Sequence, residues 1–200
     1  MRKIIFILTI FATFSCKAQS PIISMVDFEN DDDLELIEGC YLKDVENKLH
    51  PFVGIWEWTD GSNIFTVVIE KLELVYEPHT NTYSDFLIGK YKYVENGVNI
   101  INTLDNEVNA SNMWNGAVVS MWNGGYDTDV LSRFNFKDFG KQKRGDVKII
   151  LTEYLTDIEG NIVPIKAQWS LKDKEKTPFT ASDPSTYGFS VPTDVELTKQ

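Results

Sequence analysis

Apolar and polar residues alternate with a period of two along most of this chain beyond position 52. No long stretch carries the 3.6-residue period of an amphipathic helix. The alternation predicts a first strand over residues 52–58 and a turn at Thr59-Asp60-Gly61-Ser62, where Asp-Gly suits a hairpin. Over residues 64–74, Phe65, Val67 and Ile69 alternate with Thr66, Val68 and Glu70. The parity slips near 71–74, where Leu72 and Leu74 change face, as a β-bulge would make them do. Further strands are expected over 86–94, over 98–103 after the Asn96-Gly97 turn, over 133–139, over 147–154, and over 162–171 after a loop at 157–161. A last strand over 195–198 would close the sheet. In the 162–171 strand Ile165, Ala167, Trp169 and Leu171 share one face, and Lys166, Gln168 and Ser170 the other. A short helix is expected around 42–49, ending before Pro51. The fold class is therefore all-β: an antiparallel barrel of roughly eight strands in meander order, or else a β-sandwich or open barrel.

The N-terminus follows a different rule. Arg2 and Lys3 precede an apolar run from Ile4 to Phe14, which stops at Ser15-Cys16. The run is well short of the roughly 20 residues that span a bilayer as a helix, so it reads as the core of an export signal over residues 1–15. Two cuts fit. Thr13-Phe14-Ser15-Cys16 resembles the lipobox of bacterial lipoproteins, which makes Cys16 the lipidated first residue and implies an outer-membrane anchor. Cleavage after Ala18 would instead release a periplasmic or secreted protein. Residues 16–40 then form the anchor site and a tether crowded with Asp27, Glu29, Asp31, Asp32, Asp33, Glu35 and Glu38, and residues 41–200 a single β domain.

Charge narrows the partners. Without residues 1–15 the chain keeps 17 basic and 30 acidic residues, a formal charge of −13. It has no electrostatic case for nucleic acid or anionic lipid, so its contact with the membrane would run through the N-terminal lipid alone. The two cysteines are Cys16 and Cys40. With Cys16 lipidated, Cys40 has no partner in the chain, and among nearby acids it reads as a half-buried spectator. His50 and His79 lack metal-ligand spacing, and the acidic run lacks an EF-hand loop, so no metal and no cofactor are expected. No nucleophile elbow, phosphate loop or dinucleotide fingerprint occurs, and no catalytic residue is assigned. Lys141-Gln142-Lys143-Arg144-Gly145 reads as a solvated loop.

The candidate binding residues are aromatic. Trp56 and Trp58 share a parity, as do Tyr91 and Tyr93, and together they would make the wall of a ligand cavity or a packed interior. Met113-Trp114-Asn115-Gly116 recurs as Met121-Trp122-Asn123-Gly124, so Trp114 and Trp122 are a second pair, either a ligand platform or two strand-and-turn copies.

Gly54-Ile55-Trp56 resembles the opening Gly-x-Trp of lipocalins and related calycin barrels. That resemblance implies a Trp plugging the closed end of a barrel, with the glycine letting the chain pass close to it; no arginine is identifiable here as a cap over the ring. The whole chain is also similar to a family of small exported proteins of Bacteroidota, particularly flavobacteria, of unknown function. The similarity rests on Phe14-Ser15-Cys16-Lys17-Ala18-Gln19, on Val53-Gly54-Ile55-Trp56-Glu57-Trp58, on Leu87-Ile88-Gly89-Lys90-Tyr91-Lys92-Tyr93 and on the ending from Val191 to Lys199. These features point first to a non-catalytic envelope module holding a small apolar or glycan ligand. The alternative is a structural or protein-interaction subunit of the envelope, and the third reading a hydrolase built on two carboxylates.

Overall fold

The structure is a computed structural model and describes residues 20–115, 118–121, 129–173 and 188–200. It is 57% strand and 7% helix, with the sheet strongly curled into an open half-barrel. The strands are β1 (Ile22–Ser24), β2 (Tyr41–Lys43), β3 (Gly54–Asp60), β4 (Asn63–Glu77), β5 (Thr82–Glu95), β6 (Val98–Asn102), β7 (Val118–Met121), β8 (Val130–Asp138), β9 (Lys143–Thr156), β10 (Ile162–Asp173) and β11 (Asp194–Lys199). Among the described residues one α-helix, α1 (Met25–Asn30), follows β1.

The 11 strands of the described residues belong to one sheet, ordered β1-β2-β5-β4-β3-β11-β10-β9-β8-β7, with β6 beside β5. The expected meander holds for β3-β4-β5 and for β8-β9-β10. It fails at β11, which returns from the end of the chain to lie antiparallel between β10 and β3. One edge of β5 serves three partners in turn: β2 at residues 83–84, β7 at 86–89 and β6 at 92–95. Through β7 the ladder returns to its own fifth strand, although β7 meets β8 only at Val118↔Phe136 and Val119↔Asn135.

The inward parity is the one the sequence shows. Phe65, Val67 and Ile69 are buried, as are Ala167, Trp169 and Leu171. The register of β4 against β5 slips between Leu72 and Val75, with Leu74 at φ 55°, which is the expected bulge. A second irregularity surrounds Pro164 to Ala167 in β10, a place where proline can lack its N–H without breaking a ladder. The Asn96-Gly97 turn forms with both residues at positive φ, the geometry a two-residue hairpin loop requires.

Inside the curl the aromatic rings interlock. Phe65 and Trp169 lie 5.3 Å apart near edge-to-face, Phe136 touches Trp169 at 5.9 Å, and Tyr91 touches Phe136 at 5.2 Å. On the opposite face of β5, Phe86 and Ile88 join Val75 and Met113 in a separate small core, with Leu72 and Val108 against it. Both faces of the middle of β5 are thus covered.

Several expectations are corrected. Residues 42–49 are not helical: β2 occupies Tyr41–Lys43, and a single 3₁₀ turn, His50–Phe52, precedes β3. The Asp44 carboxylate takes the N–H groups of Lys48 and Leu49, and Asn47 adopts φ 55°, so the backbone groups a helix would use are spent locally. The first strand of the β run consequently begins at Gly54. Within the stretch expected as a tether, Ile22–Ser24 pairs parallel to β2, and Met25 is buried in the main core. Ser24 caps α1 by accepting from Val26 and Asp27. Lys143, Arg144 and Gly145 belong to β9, not to a solvated loop. Cys40 is fully buried.

Candidate functional site

Trp56 stands at the start of β3 with 1% of its surface exposed, and its indole N–H donates to the Phe52 carbonyl at 2.8 Å. Lys199, from the other end of the chain, crosses it. The ammonium lies 5.1 Å from the centre of the Trp56 ring and donates to the Pro51 carbonyl at 3.0 Å. Burial pulls the Lys199 pKa down. Gly54 makes this crossing fit, since it adopts φ +135° and a Cβ there would sit 2.8 Å from Lys199 Cε. The sequence search for an arginine cap missed Lys199, because only the β11–β3 pairing, Lys199↔Trp56, brings it there.

The tyrosines expected to wall a cavity lie inside the packed interior. Tyr91 is fully buried, and its hydroxyl accepts from the Phe139 N–H at 3.0 Å. Burial drives its pKa up, a rise that the Phe139 N–H opposes and the Asp138 charge reinforces. Tyr93 packs edge-on to Phe65 at 6.3 Å. Trp56, Tyr91 and Tyr93 are therefore brought together as core. The Trp114 side chain, all of Trp122 and Cys16 lie outside the described residues.

Trp58 is placed differently. β11 and β3 pair at Thr198↔Glu57 and Lys199↔Trp56, and the Gln200 N–H donates to the Ile55 carbonyl at 2.9 Å. Along this seam lies a cleft of about 480 Å³ lined by Glu57, Trp58, Thr59, Glu196, Thr198 and Gln200. Trp58 is half-buried, with core residues against it and the cleft alongside. Glu57 Oε2 accepts from the Thr66 hydroxyl at 3.3 Å, and Glu196 Oε1 meets the Lys166 ammonium at 3.1 Å. Lys166 also meets Glu153 at 3.2 Å, and these two carboxylates raise its pKa.

A second constellation joins β2, β4 and β5. Lys71 Nζ lies 3.1 Å from Asp85 Oδ2 and 3.3 Å from Asp44 Oδ2, and both aspartates are essentially inaccessible to solvent. Asp85 Oδ1 accepts from the Tyr41 hydroxyl at 2.5 Å and from the Leu74 N–H at the bulge, while Oδ2 accepts from the Asp44 N–H. Burial depresses the Lys71 pKa, but Asp85 and Asp44 outweigh it and the net shift is upward. Burial, then the hydrogen bond and charge of Asp85, raise Tyr41. A hollow of about 400 Å³ beside this cluster is lined by Ile22, Lys43, Asp44, Val45, Asn47, Lys71 and Glu73. Each buried carboxylate oxygen here already has a partner, so the cluster ties three strands and the 44–49 turn together. Asp138 ties loops in the same way, accepting from Gly140, Lys141 and Ser190. No group of three His, Cys, Asp or Glu side chains suited to a metal ion occurs among the described residues.

Fold and site together define a nearly all-β, half-barrel protein with an aromatic-filled interior and a polar cleft on its outside. The chain belongs to DUF6705, a family of unknown function, whose match runs over residues 1–200. No curated protein and no solved structure matches it.

Proposed function

We propose that this chain is an exported, lipid-anchored protein of the bacterial cell envelope whose β domain is a non-catalytic binding module. Its ligand occupies the cleft between β3 and β11. The single observation that carries the reading is the hollow of about 480 Å³ along the β3–β11 seam, lined by Glu57, Trp58, Thr59, Glu196, Thr198 and Gln200, while the rings of Phe65, Tyr91, Phe136 and Trp169 are packed against one another inside. Export and anchoring are supported by the sequence of residues 1–16, with Cys16 as the lipidated residue. A calycin-like barrel is the finer fold reading. It is supported by Gly54-x-Trp56, by Lys199 lying over the Trp56 ring, and by the return of the ladder through β7 to β5.

Native mass spectrometry of the protein recovered from the cell envelope tests the binding reading. A discrete adduct is expected on the wild type and none on Thr198→Lys, which puts a long side chain into the cleft; an adduct that survives this substitution overturns the reading. Turnover of any bound compound would overturn its non-catalytic part and favour a carboxylate pair at Glu57 and Glu196. Cys16→Ala is expected to move the protein from the membrane fraction to the soluble one, and retention in the membrane would exclude the lipid anchor.

A protein-interaction subunit is the second reading. Its support is the β9–β10 hairpin, where Leu155, Ile158 and Ile162 stand exposed on a turn organised by the Asp157 carboxylate.

A further inference from the structure

We infer that the end of the sheet at which the N-terminus leaves is a membrane-facing surface, and that the tip of the β9–β10 hairpin enters the headgroup layer of a neutral bilayer; this rests on the reading of Cys16 as the lipidated residue. The register defines that end. β3 starts there, with Gly54 opposite Ile69, and β4 runs on past it to Glu77, carrying Leu74 beyond the start of β3. β5 turns back at Thr82, opposite Glu77, and β2 and β1 run parallel to β5, so the chain enters at the same end through Ile22. β11 finishes there, with Lys199 opposite Trp56. β10, antiparallel to β11, begins there and places the 157–161 turn at this end too. Ile22, Leu74, Leu155, Ile158 and Ile162 are all exposed at this end, Ile158 wholly so. The last three stand on one hairpin, whose turn is held by the Asp157 carboxylate accepting from Glu159 and Asn161.

The length of chain beside this end says what covers it. Pro21 is fixed to the sheet, since its carbonyl accepts from the Tyr41 N–H at 2.8 Å. From Cys16 to Pro21 the chain at full extension reaches about 17 Å. Acyl chains on Cys16 lie in the bilayer, so Pro21 stands no farther than about that distance from the headgroups. A gap of that width is narrower than a small folded domain, roughly 30 Å across, which favours the bilayer itself over a protein partner. Leucine and isoleucine gain by leaving water at the boundary between headgroups and acyl chains. Residues 73–81 and 153–162 hold Glu73, Glu77, Glu153, Asp157 and Glu159 and no lysine or arginine, so the surface they meet is a neutral one. The carboxylates of Asp157 and Glu159 keep the tip at headgroup depth. This contact adds to the one made by the lipid.

The test uses the protein recovered from the cell envelope and reconstituted into phosphatidylcholine vesicles, with an NBD fluorophore on Ile158→Cys. Cys40 is buried and Cys16 carries the acyl chains, so the new thiol takes the label. A second sample carries the label on Val98→Cys, in the β5–β6 hairpin at the opposite end. Both positions are exposed, and the melting curve should stay that of the wild type. The label at 158 is expected to emit at shorter wavelength than the label at 98 and to lose intensity with doxyl-labelled phosphatidylcholine, while the label at 98 does neither. Equal, water-like emission at the two positions overturns the inference and leaves the anchor in place. A blue shift at 158 without doxyl quenching means that a second copy of the chain covers the tip, and also overturns it. Quenching at 158 should fall when part of the lipid is replaced by phosphatidylglycerol; a rise overturns the choice of a neutral surface. Intact mass spectrometry reads the anchor separately, and a Cys16 without acyl chains overturns the anchor reading itself.

Discussion

At the scale of single residues, the decisive side chains are charged ones on apolar faces. Lys71 shares the inward parity of Phe65, Val67 and Ile69, and Asp85 shares that of Leu87, Tyr91 and Tyr93. A charge at such a position has to find a partner, and these two find each other. Replacing Lys71 with methionine strands two buried carboxylates, so Lys71→Met is expected to cost about 3–5 kcal/mol in urea unfolding. Glu73, its exposed third partner, should cost under about 1 kcal/mol when changed to alanine. Glu77 is a contrasting case, with a buried Oε1 that has no hydrogen-bond partner. Desolvation raises its pKa, and His79 opposes the rise only partly. A carboxyl whose folded pKa is raised stabilises the fold fully at pH below its unfolded value, and that stability is lost as pH rises through the folded value. Glu77→Gln should therefore melt higher than the wild type at neutral pH. The two curves should converge below the ordinary glutamate value of 4.5; an equal gap at both ends of the range would exclude this account. The sequence pattern places Lys71 where the parity slips, and it could not name the partners, because Asp44, Lys71 and Asp85 lie on different strands and turns.

At the scale of elements, backbone chemistry explains both what was legible and what was not. The β4 bulge and the Asn96-Gly97 turn follow from local pattern, a parity slip in one case and two positive-φ residues in the other. The helix expected at 42–49 does not form, because Asp44 competes for the same N–H groups. Gly54 and Lys199 couple β3 to β11 most directly. Gly54→Ala forces a Cβ against Lys199 Cε and an alanine into φ +135°, so a loss of about 1–3 kcal/mol is expected from the backbone alone. Lys199→Ala should cost about 0.5–2 kcal/mol through the lost contact with the Trp56 ring. The double variant should lose less than the sum, because removing the lysine chain relieves the clash. Strict additivity in the thermodynamic cycle would show that the crossing has no energetic coupling.

At the scale of the whole molecule, β11 is the strand on which closure depends. It covers the edges of both β3 and β10 and inserts Leu197 into the core. Deleting residues 194–200 should abolish cooperative thermal unfolding and expose the backbone amides of β3 and β10 to rapid hydrogen exchange; an unchanged melting transition would refute that role. The sequence by itself determined the β character, the faces that turn inward, the bulge and the tight turns, since each depends on neighbours a few residues apart. Tertiary structure alone decided that β11 lies between β3 and β10, that Lys199 caps Trp56, that Tyr91 and Tyr93 fill the interior, and that Trp58 borders a cleft with Glu196, Thr198 and Gln200. The physical reason is that strand order is set by which edges are left without hydrogen-bond partners once the hairpins have formed. That competition joins residues more than a hundred positions apart, beyond the reach of any local pattern.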